Sequence, residues 1–165
     1  MRTAIRGGYI LVFTLNIPIE VTYGKSHCYL EPGLYAYIGS AMNGVYGRVA
    51  RHCRKRKRVF WHIDRLTQLQ ETRVLGALVL ITNERNVETF LTHLALKYFI
   101  PVCPGFGCSD TSDITHLFNI ARSADLLNLC RDLKMYYLPC DKAYSRGDAE
   151  PCSEGIARLF TQTYA

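Results

Sequence analysis

The chain runs to 165 residues and 18.8 kDa, a length that fits one domain able to bury a substantial core without covalent staples. Its net charge of +6 is unevenly placed: residues 48–65 carry eight Arg or Lys against Asp64 alone, a local +7 that leaves about −1 for the remainder. A single basic segment on a near-neutral body points to a docked polyanion, nucleic acid above all, the plain alternative being a solvated helix end. No run of about 18 apolar residues is present to span a membrane. The first ten residues lack the continuous apolar stretch and cleavage site of a secretion signal, so a cytoplasmic protein is expected.

Residues 8–16, dense in β-branched and aromatic side chains and closed by Asn16 and Pro18, read as a strand. Residues 19–23 and 26–30 read as two more, joined at a Gly24-Lys25 turn. Pro32-Gly33 marks a further turn. The strand over residues 34–38 then sends Tyr35 and Tyr37 to one face and Ala36 and Ile38 to the other, making Tyr9 and Tyr37 neighbours across an antiparallel sheet. A helix is expected from Val45 to about residue 56, with Val45, Val49 and Ala50 facing the core. Arg48 and His52 share one side of it, and Arg51 and Lys55 form a second row on the adjacent side.

Residues 60–66, which hold the only Trp, begin a short helix or loop, and residues 74–82, apolar except at Gly76, read as a buried strand. Asn83 is placed as the N-cap of a helix reaching about residue 98, with Val87, Leu91, Leu94 and Ala95 as its apolar stripe. Glu84 and Glu88 share a side of that helix near the positive end of its dipole. An irregular loop with Pro101, Pro104, Gly105 and Gly107 leads to a strand near residues 116–120 and a helix near residues 123–133. The tail from Met135 shows weak helical periodicity near residues 156–160. Seven cysteines, odd in number and irregularly spaced, do not spell a disulfide framework; most are expected as free thiols in a reducing cytosol, a thermophilic source being the exception. Cys103, Cys108 and His116 offer a zinc alternative without the tight C-x2-C spacing.

Hydrolysis of a phosphodiester needs a base for the attacking water, a cation against the developing charge and usually a metal. Gly8-Tyr9-Ile10 and Tyr37-Ile38-Gly39, in that order and followed by Arg48 and His52, resemble the core of the GIY-YIG nuclease superfamily. Longer segments are similar to its small single-domain Uri-type branch: residues 33–41, then Arg51-His52 followed by Trp61-His62-Ile63-Asp64, then residues 105–110 with His116-Leu117-Phe118. The resemblance covers roughly residues 7–120. It implies an α+β fold with a central three-stranded antiparallel sheet flanked by helices, in a domain over residues 1–121, with residues 122–165 as a helical or irregular extension.

By the same resemblance Tyr9 and Tyr37 are the active-site tyrosines, Arg48 and His52 the paired residues of the first core helix, and Glu88 the ligand of a divalent metal, Mg2+ or Mn2+. Glu84 is the competing carboxylate. Two departures stand out: the superfamily's asparagine after the metal-binding helix has its nearest counterpart in Asn119, beyond a longer loop, and Thr111 and Asp113 stand where relatives carry cysteines. The implied function is a metal-dependent endonuclease acting on DNA, with RNA left open. Selection by structure rather than sequence follows from the lack of a separate recognition motif. The alternative is a nucleic-acid-binding module that keeps the scaffold without turnover. In either case Arg51, Arg54, Lys55, Arg56, Lys57 and Arg58 hold the phosphate backbone through counterion release, while Trp61 and His62 form a base-stacking platform or anchor the core.

Overall fold

The computed structural model of the chain describes residues 4–163. Strand β1 (Gly7–Leu15) is the axis of the fold. It pairs antiparallel with β4 (Gly33–Ala41) on one side and β5 (Thr72–Ile81) on the other. Beyond β4 lie β7 (Leu117–Ile120) and β6 (Ile100–Pro101); beyond β5 lie β8 (Tyr136–Pro139) and β9 (Glu150–Pro151). Every pairing is antiparallel, in the order β6-β7-β4-β1-β5-β8-β9. Strands β2 (Ile19–Tyr23) and β3 (Ser26–Leu30) form a separate hairpin about Gly24, whose φ of 58° suits a residue without a Cβ.

The expected central three-stranded sheet is thus corrected to a seven-stranded antiparallel sheet with a two-stranded hairpin beside it. The added strands are two to four residues long. Of these only β7 was expected, near residues 116–120; β6, β8 and β9 carry no readable alternation and join through pairing with distant segments, as Tyr136–Val79 and Leu138–Ala77 show.

Both faces of β1 are covered, which explains why residues 9–13 are apolar without a break. Tyr9, Leu11, Phe13 and Leu15 share one core with Tyr35 and Tyr37, closed by Val45, Val49 and Ala50 of helix α1 (Val45–Cys53). Ile10, Val12, Ala36 and Ile38 share the other with α3 (Val87–Ala95), α4 (Ala124–Asp132) and α6 (Cys152–Thr163), through Leu91, Leu126, Leu129 and Ile156. Each such fully buried side chain contributes about 1.5–3 kcal/mol. Two short helices complete the chain, α2 (Asp64–Thr67) and α5 (Cys140–Ser145). No helix among the described residues is long and apolar enough to cross a membrane.

Three helix ends differ from expectation, among them the C-terminal end of α3, which stops at Ala95 rather than near residue 98. Helix α1 stops at Cys53 rather than near residue 56, because Arg54 turns extended and Lys57 Nζ donates to the Arg51 and His52 carbonyls at 3.2 and 3.0 Å. Helix α3 begins at Val87, with Asn86 rather than Asn83 before it. The Thr82 hydroxyl accepts the Glu84 N–H at 3.1 Å, and this local turn occupies the backbone that a longer helix would need.

The cysteines also depart from expectation. Six of the seven form disulfides: Cys28–Cys103, Cys53–Cys140 and Cys130–Cys152, leaving Cys108 as the free thiol. Cys103 is thereby unavailable for the zinc alternative. The first two bridges span 75 and 87 residues, distances at which spacing says nothing about pairing. Replacing Cys53 and Cys140 together by Ser should lower stability by about 2–4 kcal/mol, read as a lower guanidinium midpoint under oxidising conditions. Cys108→Ser should leave that midpoint in place.

Candidate active site

Tyr9 on β1 and Tyr37 on β4 project from the same face of the sheet, diagonal to each other because Tyr9 lies opposite Gly39 and Tyr37 opposite Leu11. Helix α1 crosses above them. One turn of it separates Arg48 from His52, so both side chains reach the tyrosines. The Tyr9 hydroxyl and His52 Nε2 are 2.7 Å apart. The Tyr37 ring stands edge-on to His52, with centroids 6.3 Å apart. Arg48 donates to the Ser40 carbonyl at 3.2 Å, and its guanidinium lies 4.2 Å from the centre of the Trp61 ring.

Helix α3, on the opposite face, contributes Glu88 from its first turn. These groups line one polar cavity of about 180 Å³, closed by Gly107, Ser109, Asp110 and Thr111. Glu84 is elsewhere: it is exposed before α3 and borders a separate cavity with Leu80, Thr82 and Phe90. The candidate set Tyr9, Tyr37, Arg48, His52 and Glu88 therefore meets in one place, whereas Glu84 does not join it. Asn119 sits on β7 and donates to the Leu34 carbonyl at 3.3 Å, outside this cavity.

Burial sets the protonation of the site. His52 is 1% exposed, and desolvation, with the Lys57 charge adding to it, lowers its pKa to about 3, so the imidazole is neutral. Its Nδ1 has no hydrogen-bond partner among the described residues. Desolvation raises the Tyr9 phenol, and the Arg48 charge and hydrogen bond oppose the rise. Tyr37 is raised by burial and then by the Tyr9 and Glu88 charges.

His116, read from sequence only as part of the zinc alternative and within a matched segment, lies directly behind the site. Its Nδ1 lies 3.2 Å from Glu88 Oε1 and its Nε2 2.9 Å from Asp113 Oδ2. Burial would lower its pKa, but the Cys108, Glu88 and Asp113 side chains around it override that and raise it to about 10; its Nδ1 meets Glu88 at ion-pair distance only, without a hydrogen bond. The His116 ring thus stands at ion-pair distance behind the Glu88 carboxylate, at the cavity wall. Among the described residues no group of three or more His, Cys, Asp and Glu gathers as a metal cage. A hard divalent cation does not require one, since Mg2+ is commonly bound through one or two carboxylates, waters and substrate phosphates. Glu88, with its side chain 26% exposed in a polar cavity, fits that donor set.

The basic segment divides by direction. Arg54, Arg56 and Arg58 are exposed. Lys57 caps α1, and Lys55 donates to the Thr67 and Leu69 carbonyls at 3.2 and 2.6 Å and to the Thr72 carbonyl. Arg51 makes a two-pronged ion pair with Asp64 at 2.7 and 2.9 Å. Trp61 is half-buried under the Arg48 and Arg51 guanidiniums. His62 Nδ1 accepts the Gly107 N–H at 3.0 Å, tying the loop after β6 to this corner.

The family model named domain of unknown function DUF123 matches residues 8–137. The chain belongs to the DUF123 family. The DUF123 match takes in both tyrosines, α1, the basic segment, Glu88 and His116 and ends within β8. No curated protein and no solved structure matches this DUF123 chain.

Neutral, buried His52 carries a testable pH signature. The folded group stays unprotonated down to about pH 3, while an unfolded His titrates near 6.5. Stability is therefore whole above about pH 6.5 and falls as the pH drops towards 3, by up to about 1.4 kcal/mol per pH unit. His52→Gln should flatten this acid limb in urea midpoints measured between about pH 7 and pH 4; an unaltered slope would assign the titration to another group.

Proposed function

We propose that this protein is a divalent-metal-dependent endonuclease that hydrolyses phosphodiester bonds of DNA, choosing its target by structure rather than sequence, with RNA as a substrate left open. The observation that carries the reading is the 2.7 Å Tyr9–His52 pair in the polar cavity it shares with Arg48 and Glu88. A phenol held protonated by burial is a weak base alone, but one bonded to an imidazole can pass its proton on as it accepts another, provided that the negative charge of the bound phosphate raises the imidazole from its depressed value. Tyr9 takes the proton of the attacking water while its own proton moves to His52 Nε2. This assigns the base role to Tyr9 rather than Tyr37, because Tyr9 is the tyrosine in contact with a proton acceptor.

Arg48 donates charge-assisted hydrogen bonds to the nonbridging phosphate oxygens, and its position also favours negative charge on Tyr9. Tyr37 walls the cavity and positions His52 through its ring edge. Glu88 would hold a Mg2+ or Mn2+ ion, which would supply Lewis-acid stabilisation of the phosphate and the leaving oxygen. Arg54, Arg56 and Arg58 face solvent and bind the backbone, so affinity falls with added salt. We place the protein in the cytoplasm, where three disulfides would be ordinary only in a thermophilic source.

The Glu88–His116 contact favours a second reading, a binding module in which Glu88 is a structural carboxylate. Nicking of supercoiled DNA separates the two. On the endonuclease reading, Tyr9→Phe, Arg48→Ala and Glu88→Ala each reduce metal-dependent nicking by about 10²–10⁴-fold, while Glu84→Ala cuts like the unaltered protein. Salt-sensitive binding without cutting under any metal would leave the binding module.

A further inference from the structure

Phe60 is 76% exposed, more than any other large apolar side chain among the described residues. Its backbone is nevertheless fixed. The N–H groups of Phe60 and Trp61 donate to Asp64 Oδ2 at 2.9 and 3.0 Å, Asp64 is gripped by Arg51, and Arg51 Nη2 donates to the Arg58 carbonyl at 2.9 Å. The Phe60 ring stands edge-on to Trp61, centroids 4.9 Å apart at 82°, and Trp61 lines the cavity that holds Tyr9 and His52. Exposed Arg54, Arg56 and Arg58 precede it in the chain. A positioned aromatic surface thus sits one residue from the cavity wall and beside cations suited to a phosphate backbone.

In an intact duplex the base faces are stacked on one another, so a protruding ring finds an aromatic partner only where a base is unpaired or has been pushed out of the stack. We propose that Phe60 stacks on an unpaired nucleobase next to the scissile phosphate and thereby directs the protein to DNA with a flap, bulge or single-stranded junction. This inference rests on the endonuclease reading above and supplies its substrate class. The stacking platform is Phe60 rather than Trp61, whose ring is already engaged by two guanidiniums.

The test uses flapped and fully paired duplexes carrying 2-aminopurine at the junction position, mixed with the whole protein without divalent metal so that binding is read apart from cutting. Wild type and Phe60→Trp quench the flap probe, and Phe60→Ala does not. Phe60→Ala also loses about tenfold in flap affinity, as expected for one base–aromatic stack, with duplex affinity unchanged. Equal quenching by Phe60→Ala, or an equal loss on both DNAs, overturns the inference while leaving nuclease activity intact. Sedimentation showing a wild-type dimer that Phe60→Ala dissociates also overturns it, because the ring then belongs to a contact between copies. A wild type that binds neither DNA removes the endonuclease reading itself, and the inference with it.

Discussion

The ring of Tyr9 lies across strand β4 in space that a single methyl group would fill. A Cβ on Gly39, the residue directly opposite, would sit 2.3 Å from the Tyr9 hydroxyl oxygen. Gly8, the neighbour of Tyr9, faces the other side of the sheet, where a Cβ would come within 2.6 Å of Val87 and 2.7 Å of Leu91. One glycine lets the phenol reach His52; the other lets α3 settle against β1 with Glu88 in its first turn. A third, Gly107, combines a φ of 74° with close approach to Tyr37, so the loop that closes the cavity depends on the same kind of missing side chain. The glycines of the two tyrosine motifs thus act as steric clearances that bring groups from both faces of the sheet to one cavity.

Electrostatics within the basic segment follow from backbone geometry. Once α1 ends, Arg54 is extended, and from there exposure alternates: Arg54, Arg56 and Arg58 point outward while Lys55 and Lys57 turn in. The inward lysines satisfy carbonyls that the helix end and the following loop leave open. Burial lowers the Lys57 pKa to about 8, against the attraction of Asp64, and its remaining charge helps to keep His52 neutral. A local charge of +7 in the sequence is consequently a smaller charge at the surface, and part of it tunes the protonation of the site.

Strands β1 and β5 were legible because each carries an apolar run over most of its nine or ten residues, whereas β4 was read only over residues 34–38 of Gly33–Ala41. Arg48 and His52 were placed correctly on one side of α1 by spacing alone, a local property of a helix. Most of what escaped the sequence depends on distant partners. Glu84 is lost from the α3 face for a local reason, the turn at Thr82 two residues before it, whereas residues 136–139 are a strand only because β5 offers its edge. The three disulfides were hidden for the same reason. His116 carried a faint signal in its matched segment, but its role became visible only when Glu88 and Asp113 were brought to its two nitrogens from elsewhere in the chain.

The described residues beyond 121 bear on the site although none of them lines its cavity. Helix α1 presents Arg48 and His52 on one side, and its far side is held by α5: Cys53, the last residue of α1, is bonded to Cys140, the first of α5. Near the start of α1, Tyr46 donates from its hydroxyl to the Gly147 carbonyl at 3.0 Å, beyond the end of α5. A helix of nine residues has little stability of its own and takes its position from its tertiary contacts. Attachment at both ends fixes the rotation of α1 about its axis as well as its height above the sheet. The 2.7 Å contact between Tyr9 and His52 is sensitive to both, since β1 holds the tyrosine and α1 the histidine. The C-terminal segment therefore contributes to the chemistry indirectly, by holding from behind the helix that carries the proton acceptor.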